Sequence, residues 1–349
     1  MLMAVCALMA GIDSFVGMDD YAKIHKDFFD RYFNHLYTPS HDTFRNLFRD
    51  LNMQEFESWF RKTAEQLKSF MDKAHLPVGN RRKHYALDGK TVRNSGIERP
   101  FHIVTAWLSG HKISMGQVTV DEKSNEITAM PKLLRALDIK GAVITSDAMG
   151  CQHELCSLII KNGGDYIIAV KENQPTLYHN VVAQIEETYE SAYSQCTTNE
   201  KGHGRIETRT CLVMEKNEED FNFKNWPGLK TLICVDADVT RKNKKGEQKR
   251  SLMTRYFISS MKLDAAETLD IIRAHWGIEN NLHWCLDVSL NEDKACILEE
   301  QSVVNINVLR KFVFNIFTAV KEKKSFPSMF RQCMNPQNSI KFLDKCVCS

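Results

Sequence analysis

The hydrophobic period of this chain changes from three-to-four to two near residue 80, and that switch limits the fold more than any single motif. From Met1 to about Lys73 apolar side chains recur at helical spacing: Phe28, Tyr32, Leu36, then Phe44, Leu47, Phe48, Leu51, then Phe56, Trp59, Phe60, Leu67. Thr38-Pro39-Ser40-His41-Asp42 reads as a helix stop and restart, with Ser40 or Asp42 as the N-cap. The opening MLMAVCALMAG has the apolarity of a signal-peptide core but no cationic leader and no convincing cleavage pattern, so a buried helix is expected there. PVGNRRK, Pro77–Lys83, marks a linker.

Beyond the linker, His84–Val92, Phe101–Leu108 and Ile113–Val120 are rich in β-formers and closely spaced, which predicts three strands of an antiparallel meander. Helix Ile127–Leu137, strand Ala142–Ser146, helix Glu154–Lys161 and strand Tyr166–Val170 follow, so the expected fold class is a mixed α/β sheet. A polar helix is expected from Pro175 to about Tyr193. Strands are then expected at Arg205–Met214, Leu229–Val235 and Leu252–Ser259, with the basic run RKNKKGEQKR between the last two. Asp264–Leu286 reads as one long helix capped by Asp264, and the tail from Lys321 is polar and weakly patterned.

At 349 residues the chain is long enough for about two domains. Its 46 Lys+Arg against 44 Asp+Glu give a net charge of only +2, so a polyanion would have to be met by local basic patches. Eleven cysteines without a Cys-x-x-Cys pair suit reduced thiols in a cytosol. No apolar run approaches the ~20 residues of a membrane span, so no membrane partner is expected. Gly202-His203-Gly204 is too short for a nucleotide-binding loop, so neither an ATPase nor a dehydrogenase is indicated and no nucleotide cofactor is expected.

Three carboxylates stand out by position. Asp88 lies within the first strand ahead of Gly89, and Asp147 ends the apolar strand VITS. Carboxyl ends of buried strands are where α/β sheets leave a ligand crevice, although a turn-forming or capping Asp is the commoner occupant. Glu279 lies at about 80° from Ile271 on the edge of the stripe Ile271, Ile278, Leu282, Leu286, a border expected to face the sheet rather than bulk water. Two Asp and one Glu are hard oxygen donors suited to Mg²⁺ or Mn²⁺. The four-residue spacing of His275, Glu279 and His283 leaves a zinc triad as an alternative. Basic residues that could grip phosphates are Arg81, Arg82, Lys83, Lys90, Arg93 and the run Arg241–Arg250, and Arg45 and Arg49 share a face of the restarted helix.

The segments ALDGKTVRNS (Ala86–Ser95), SDAMGCQ (Ser146–Gln152), YIIAVKENQPTL (Tyr166–Leu177), GHGRIETR (Gly202–Arg209), RYFISS (Arg255–Ser260) and RAHWGIENNLHWCLDVSLNED (Arg273–Asp293) resemble, in order, the motifs of the ISAs-type insertion-sequence DDE transposases. That group includes the H-repeat-associated proteins of Rhs elements. AGIDSF and PSHDTFR in the helical region match as well, and the resemblance spans about Ala4–Arg310.

The resemblance implies a ribonuclease-H-like core with a β-rich insertion, preceded by an all-α domain. The implied boundaries are 1–76 for the helical, DNA-end-binding domain, 77–173 and 251–320 for the two parts of the core, 174–250 for the insertion and 321–349 for the tail. Family members carry further residues ahead of AGIDSF, so the helical domain is expected to be shortened. Asp88, Asp147 and Glu279 would form the catalytic, metal-binding triad with Mg²⁺ or Mn²⁺. Lys90, Arg93, Lys171, Asn173, Gln174, His203, Arg205, His275, Trp276, Asn280, Arg45 and Arg49 would serve DNA. The implied activity is strand cleavage at element ends and strand transfer into target DNA, with terminal inverted repeats and target duplex as partners, a homo-oligomer on DNA, and a bacterial cytoplasmic location. A stand-alone nuclease and an inactive, co-opted DNA-binding descendant are the rivals. Flanking inverted repeats would separate the transposase from both.

Overall fold

A computed structural model of the chain describes residues 1–34, 37–74, 82–96, 100–120, 126–202, 204–216, 223–242, 248–295, 297–320 and 324–347. In chain order the elements are α1 (Leu2–Met9), α2 (Phe15–Ile24), α3 (Lys26–Phe33), α4 (His41–Asp50), α5 (Met53–Lys73), β1 (His84–Val92), β2 (Phe101–Leu108), β3 (Ile113–Thr119), α6 (Glu126–Arg135), β4 (Val143–Ser146), α7 (His153–Lys161), β5 (Asp165–Val170) and α8 (Pro175–Thr188). There follow β6 (Ser194–Gly202), β7 (Arg205–Glu215), β8 (Thr231–Lys242), β9 (Gln248–Ser259), α9 (Ala265–His275), α10 (Trp284–Val288), α11 (Glu300–Val320), α12 (Phe326–Cys333) and α13 (Pro336–Val347). Strand order is β3-β2-β1-β4-β5-β9-β8-β7-β6, a large mixed sheet in an α/β fold. The chain divides into two compact units, and β1 runs through the division between Asp88 and Gly89.

The first unit comprises Met1–Arg81, Gly89–Asn125 and Gly277–Ser349. Ser40 starts α4 by accepting the Thr43 N–H, as the restart motif predicts. The opening segment is the expected helix, and Ala4, Cys6, Ala7 and Met9 in it are fully buried. β2 and β3 pair antiparallel, with a bulge at Ala106/Trp107. The unit is built around α11, against which α1, α4, α5, α13 and β3 pack.

α11 corrects the expectation that no apolar run nears membrane-spanning length. Its 21 residues pass that test by length and composition, and 94% of the tested window is buried within the protein. Its polar side chains explain why it serves as a core helix. Asn315 accepts the Ser114 N–H (2.8 Å) and donates to the Ser114 carbonyl (2.7 Å), and Asn305 donates to the carbonyls of Phe48 (2.8 Å) and Leu51 (2.7 Å). The expected weakly patterned tail carries α12 and α13, with Met329, Cys333 and Ile340 buried.

The second unit comprises Arg82–Asp88 and Glu126–Trp276. β1, β4 and β5 are parallel, with Ala86 opposite Thr145 and Leu87 opposite Ser146, and β9 returns antiparallel to β5. β6 to β9 extend the same sheet as long antiparallel ribbons. α9 covers one face through a cluster that includes Val143, Ile167, Cys211, Ile233, Phe257, Leu269 and Ile272. α7 packs on β5, and α8 on β8 and β9. β9 begins at Gln248, so residue 250 falls inside a strand rather than at the edge of an insertion.

The long helix expected over Asp264–Leu286 is interrupted. Asp264 caps it as predicted, accepting the Glu267 N–H at 2.8 Å, but α9 stops at His275 and Ile278–His283 forms a π-helical turn before α10. The stripe Ile271, Ile278, Leu282 and Leu286 is buried as predicted, each at 1% exposure or less. A π turn accommodates one extra residue without losing that stripe, and such turns recur at functional sites.

Candidate active site

Asp88 follows Leu87, the last residue of β1 paired with β4, and Asp147 follows the last residue of β4, its neighbour at the ~4.8 Å spacing of adjacent strands. With a side-chain period of two, Asp88 shares a sheet face with Ala86 and His84, and Asp147 shares the same face with Thr145. The two carboxylates therefore stand side by side, Asp147 at the carboxyl end of β4 and Asp88 within β1 where its parallel pairing with β4 ends.

Asp147 also performs the commoner task weighed for it, since its Oδ1 accepts the Met149 N–H at 3.1 Å and caps the short 3₁₀ turn Ala148–Gly150. Burial, reinforced by the Glu126 carboxylate, pushes its carboxyl above the usual range, and the Met149 and Gly150 N–H groups and Lys171 pull it back. Two half-buried carboxylates side by side, with the Asp147 carboxyl held above its usual range, fit a hard divalent cation. Gly150 is required by close approach: a Cβ there would lie 2.1 Å from Ser146 Oγ.

Behind the carboxylates runs a buried relay. His84 Nε2 and Thr145 Oγ1 are 2.8 Å apart, and Thr145 Oγ1 and His275 Nδ1 are 2.9 Å apart. Among the described residues His84 Nδ1 has no partner, so the satisfying arrangement puts the His84 proton on Nε2, which donates to Thr145, whose hydroxyl donates to His275. Burial lowers His84 to about 3 and His275 to about 4, so both rings are neutral at neutral pH.

A cavity of about 510 Å³ opens beside Asp147, lined by Lys171, Asn173, Tyr178, Arg255 and Tyr256 among others. The Arg255 guanidinium lies 4.9 Å from the centre of the half-exposed Trp276 ring, a cation–π contact that holds the arginine at the cavity wall. Asn173 donates to the Ala148 carbonyl at 2.7 Å and Gln174 to the Cys151 carbonyl at 3.0 Å. These two amides therefore hold the loop that carries Asp147, while Lys171 stays exposed.

Other predicted residues fare differently. Glu279 lies on the π turn and is exposed, which corrects the expectation that it faces the sheet; it belongs to the first unit, as does the exposed Asn280. Lys90 departs most from the phosphate-gripping role, because its ammonium is 2.6 Å from Asp287, 3.4 Å from Asp293 and ion-paired with Glu292. Those three carboxylates are the single group of three metal-capable side chains found close together among the described residues, and a lysine serves them. Burial works to lower the Lys90 pKa, but the carboxylates outweigh it and raise it.

Arg93 is exposed, 3.7 Å from Asp293. Arg205 pairs with the buried Glu207 at 2.8 Å. Arg45 pairs with Asp42 (2.9 Å) and Arg49 with Asp50 (2.8 Å) on the outer face of α4. Arg82 pairs with Glu267, and Lys83 with Asp138 at 3.0 Å. His203, Arg81 and residues 243–247 of the basic run lie outside the described residues. Sequence reasoning gave no role to Thr145, Glu126, Tyr178, Arg255 and Tyr256; the odd threonine inside the apolar run VITS and the place of Arg255 and Tyr256 in the motif RYFISS were the available signals.

The Transposase DDE domain family matches residues 79–316, and the DDE_Tnp_1-associated family matches residues 1–63. This chain belongs to the DDE transposases, a family of DNA-cleaving enzymes. Among its relatives, the "H repeat-associated putative transposase YhhI" of Escherichia coli (strain K12) is 35% identical over 334 residues, covering 93% of this chain and 85% of its own length. "Putative transposase YncI" of Escherichia coli O157:H7 is 35% identical over 93% of this chain and 82% of its own. A cryo-EM structure of piggyBac transposase in a synaptic complex with hairpin DNA aligns over 99% of this chain and 71% of its own at 14% identity and a TM-score of 0.43.

Proposed function

We propose that this transposase cleaves DNA strands at the ends of its element and joins them to target DNA, with Asp88, Asp147 and Glu279 as the carboxylate triad and Mg²⁺ or Mn²⁺ as the ion they hold. The observation that carries the reading is the pair Asp88 and Asp147 on one sheet face, side by side where the parallel pairing of β1 with β4 ends. Glu279 joins them through the resemblance of RAHWGIENNLHWCLDVSLNED, Arg273–Asp293, to the family motif. We read the core as ribonuclease-H-like, which the order β3-β2-β1-β4-β5 supports, and the ribbon from β6 to β9 as its elaboration.

When bound, the ion supplies Lewis-acid stabilisation of the negative charge that builds on the phosphodiester. The chain's own residues do the rest. Lys171 and Arg255 offer cationic donors to phosphate oxygens entering the cavity beside Asp147, and Tyr178 and Tyr256 wall it with apolar surface. Asn173 and Gln174 hold the Asp147 loop, and the neutral His275 holds the end of α9 against β4 through Thr145. Arg93, Arg205, Trp276 and Asn280 remain exposed or partly exposed for duplex contact, as do Arg45 and Arg49 on α4. The partner is double-stranded DNA at inverted repeats and target, gripped by a homo-oligomer in the bacterial cytoplasm.

The test is cleavage of a labelled duplex carrying the element's own end. Mg²⁺ or Mn²⁺ should support it without zinc. Loss of activity under a zinc-selective chelator, unrestored by Mg²⁺, would overturn the oxygen-ligand assignment. Arg45→Ala with Arg49→Ala should weaken end binding and flatten its salt dependence. An unchanged salt slope would confine α4 to structural support.

A further inference from the structure

We propose that Lys90 is a positioning residue of the transposase reaction, and that the acidic cage around its ammonium is an anchor for the chain rather than a cation site. The inference rests on the reading of Asp88 and Glu279 as catalytic. Lys90 stands two residues after Asp88, and Asp287, the first carboxylate of the cage, stands eight residues after Glu279.

The cage lies wholly within the first unit. Oxygen atoms of Asp287, Glu292 and Asp293 come within 4.8 Å of one another, an arrangement of like charges that needs a cation among them. Lys90 is that cation, with its side chain 13% exposed against 0% for Glu292. Glu292 also accepts from the Asn307 side chain on α11, so its second oxygen is used within the protein. The staple continues past Lys90: Asp293 Oδ1 accepts the Arg93 N–H at 3.2 Å, and its backbone carbonyl accepts Asn94 Nδ2 at 2.7 Å. Asn94 and Asn291 both adopt left-handed φ, 55° and 49°, which turns each segment sharply at the staple.

A partly buried ion cluster of this kind is a poor way to gain stability, because well-packed apolar side chains of similar volume serve as well or better. What it supplies is register. An ammonium among three carboxylates, backed by two hydrogen bonds that each join a side chain to the backbone, fixes the exit of β1 against residues 287–293 to within hydrogen-bond tolerance. The segments that follow Asp88 and Glu279 are thereby held at one point.

The experiment uses the full chain and measures Mn²⁺ affinity by electron paramagnetic resonance without DNA, beside the Mg²⁺ midpoint of end cleavage and the affinity for end DNA. Lys90→Met should weaken Mn²⁺ binding and raise the Mg²⁺ midpoint by about tenfold, the size typical of losing a residue that orients metal ligands, with DNA affinity within about twofold. Should Lys90→Met fail to fold, Asp287→Asn keeps two carboxylates on the ammonium and should shift both metal readouts by about threefold in the same direction. A folded variant with wild-type Mn²⁺ affinity and Mg²⁺ midpoint would overturn the inference. So would Mn²⁺ binding that survives Asp88→Asn but is lost in Glu292→Gln, since the cage would then be the metal site. Wild-type cleavage by Asp88→Asn would instead sink the triad, a failure distinguishable from that of Lys90.

Discussion

Replacing Thr145 by Val tests the buried relay, because it preserves the branched shape and removes only the hydroxyl shared by His84 and His275. His84 is fully buried, so its Nε2–H would lose its partner with no access to water, at a cost of about 1–3 kcal/mol. His275 is part-buried, so the loss of its bond is nearer the net worth of a hydrogen bond, about 1 kcal/mol. The sum is about 2–4 kcal/mol. Urea unfolding followed by circular dichroism reads it as a lower midpoint at unchanged slope. Thr145→Ser keeps the hydroxyl and loses one methyl, so it should fall by only about 1 kcal/mol. A Val variant within about 0.5 kcal/mol of wild type, or less damaging than Ser, would refute the relay.

The two rings also set an acid limit. Both are depressed from 6.5, to about 3 and about 4, so below pH 6.5 the unfolded chain binds protons that the folded chain refuses. Stability should therefore be intact above pH 6.5 and fall between 6.5 and 5, by up to about 1.4 kcal/mol per pH unit for each ring. A flat urea midpoint over that window would contradict neutral, buried imidazoles. Gly150→Ala should displace the Asp147 loop, because its Cβ meets Ser146 Oγ at 2.1 Å, and end cleavage should fall by about 10²-fold. Wild-type cleavage by that variant would show that the loop tolerates the displacement.

What was legible in the sequence followed local rules. β1 and β2 match their predicted limits because each is a short apolar run rich in β-formers and bounded by polar turn residues, and Asp147 was readable because VITS is too short and apolar to be anything but a buried strand. β6 was not read, because SQCTTNEKG has almost no apolar face and owes its form to pairing along its length with β7. α11 escaped notice because Asn305, Asn307, Lys311 and Asn315 break its apolar pattern. The partners of Asn305, Lys311 and Asn315, such as Gln117 for Lys311 at 2.6 Å, lie far away in the chain. The π turn is invisible to a 3.6-residue period, since one added residue leaves the stripe intact. Lys90 read as a phosphate contact because the carboxylates that occupy it lie about 200 residues on, beyond any local signal.

Glu279 is the triad member assigned by family resemblance rather than by the geometry of the sheet. Strand cleavage of a labelled duplex carrying the element's end, measured beside binding to the same DNA for wild type and Glu279→Gln, tests it most directly. The substitution keeps size and removes charge, and the exposed position spares the buried stripe Ile271, Ile278, Leu282 and Leu286. Cleavage should fall by orders of magnitude with binding nearly unchanged, and adding Asp88→Asn should cost little more because the carboxylates act as one unit. Cleavage by Glu279→Gln at the wild-type rate would contradict the assignment.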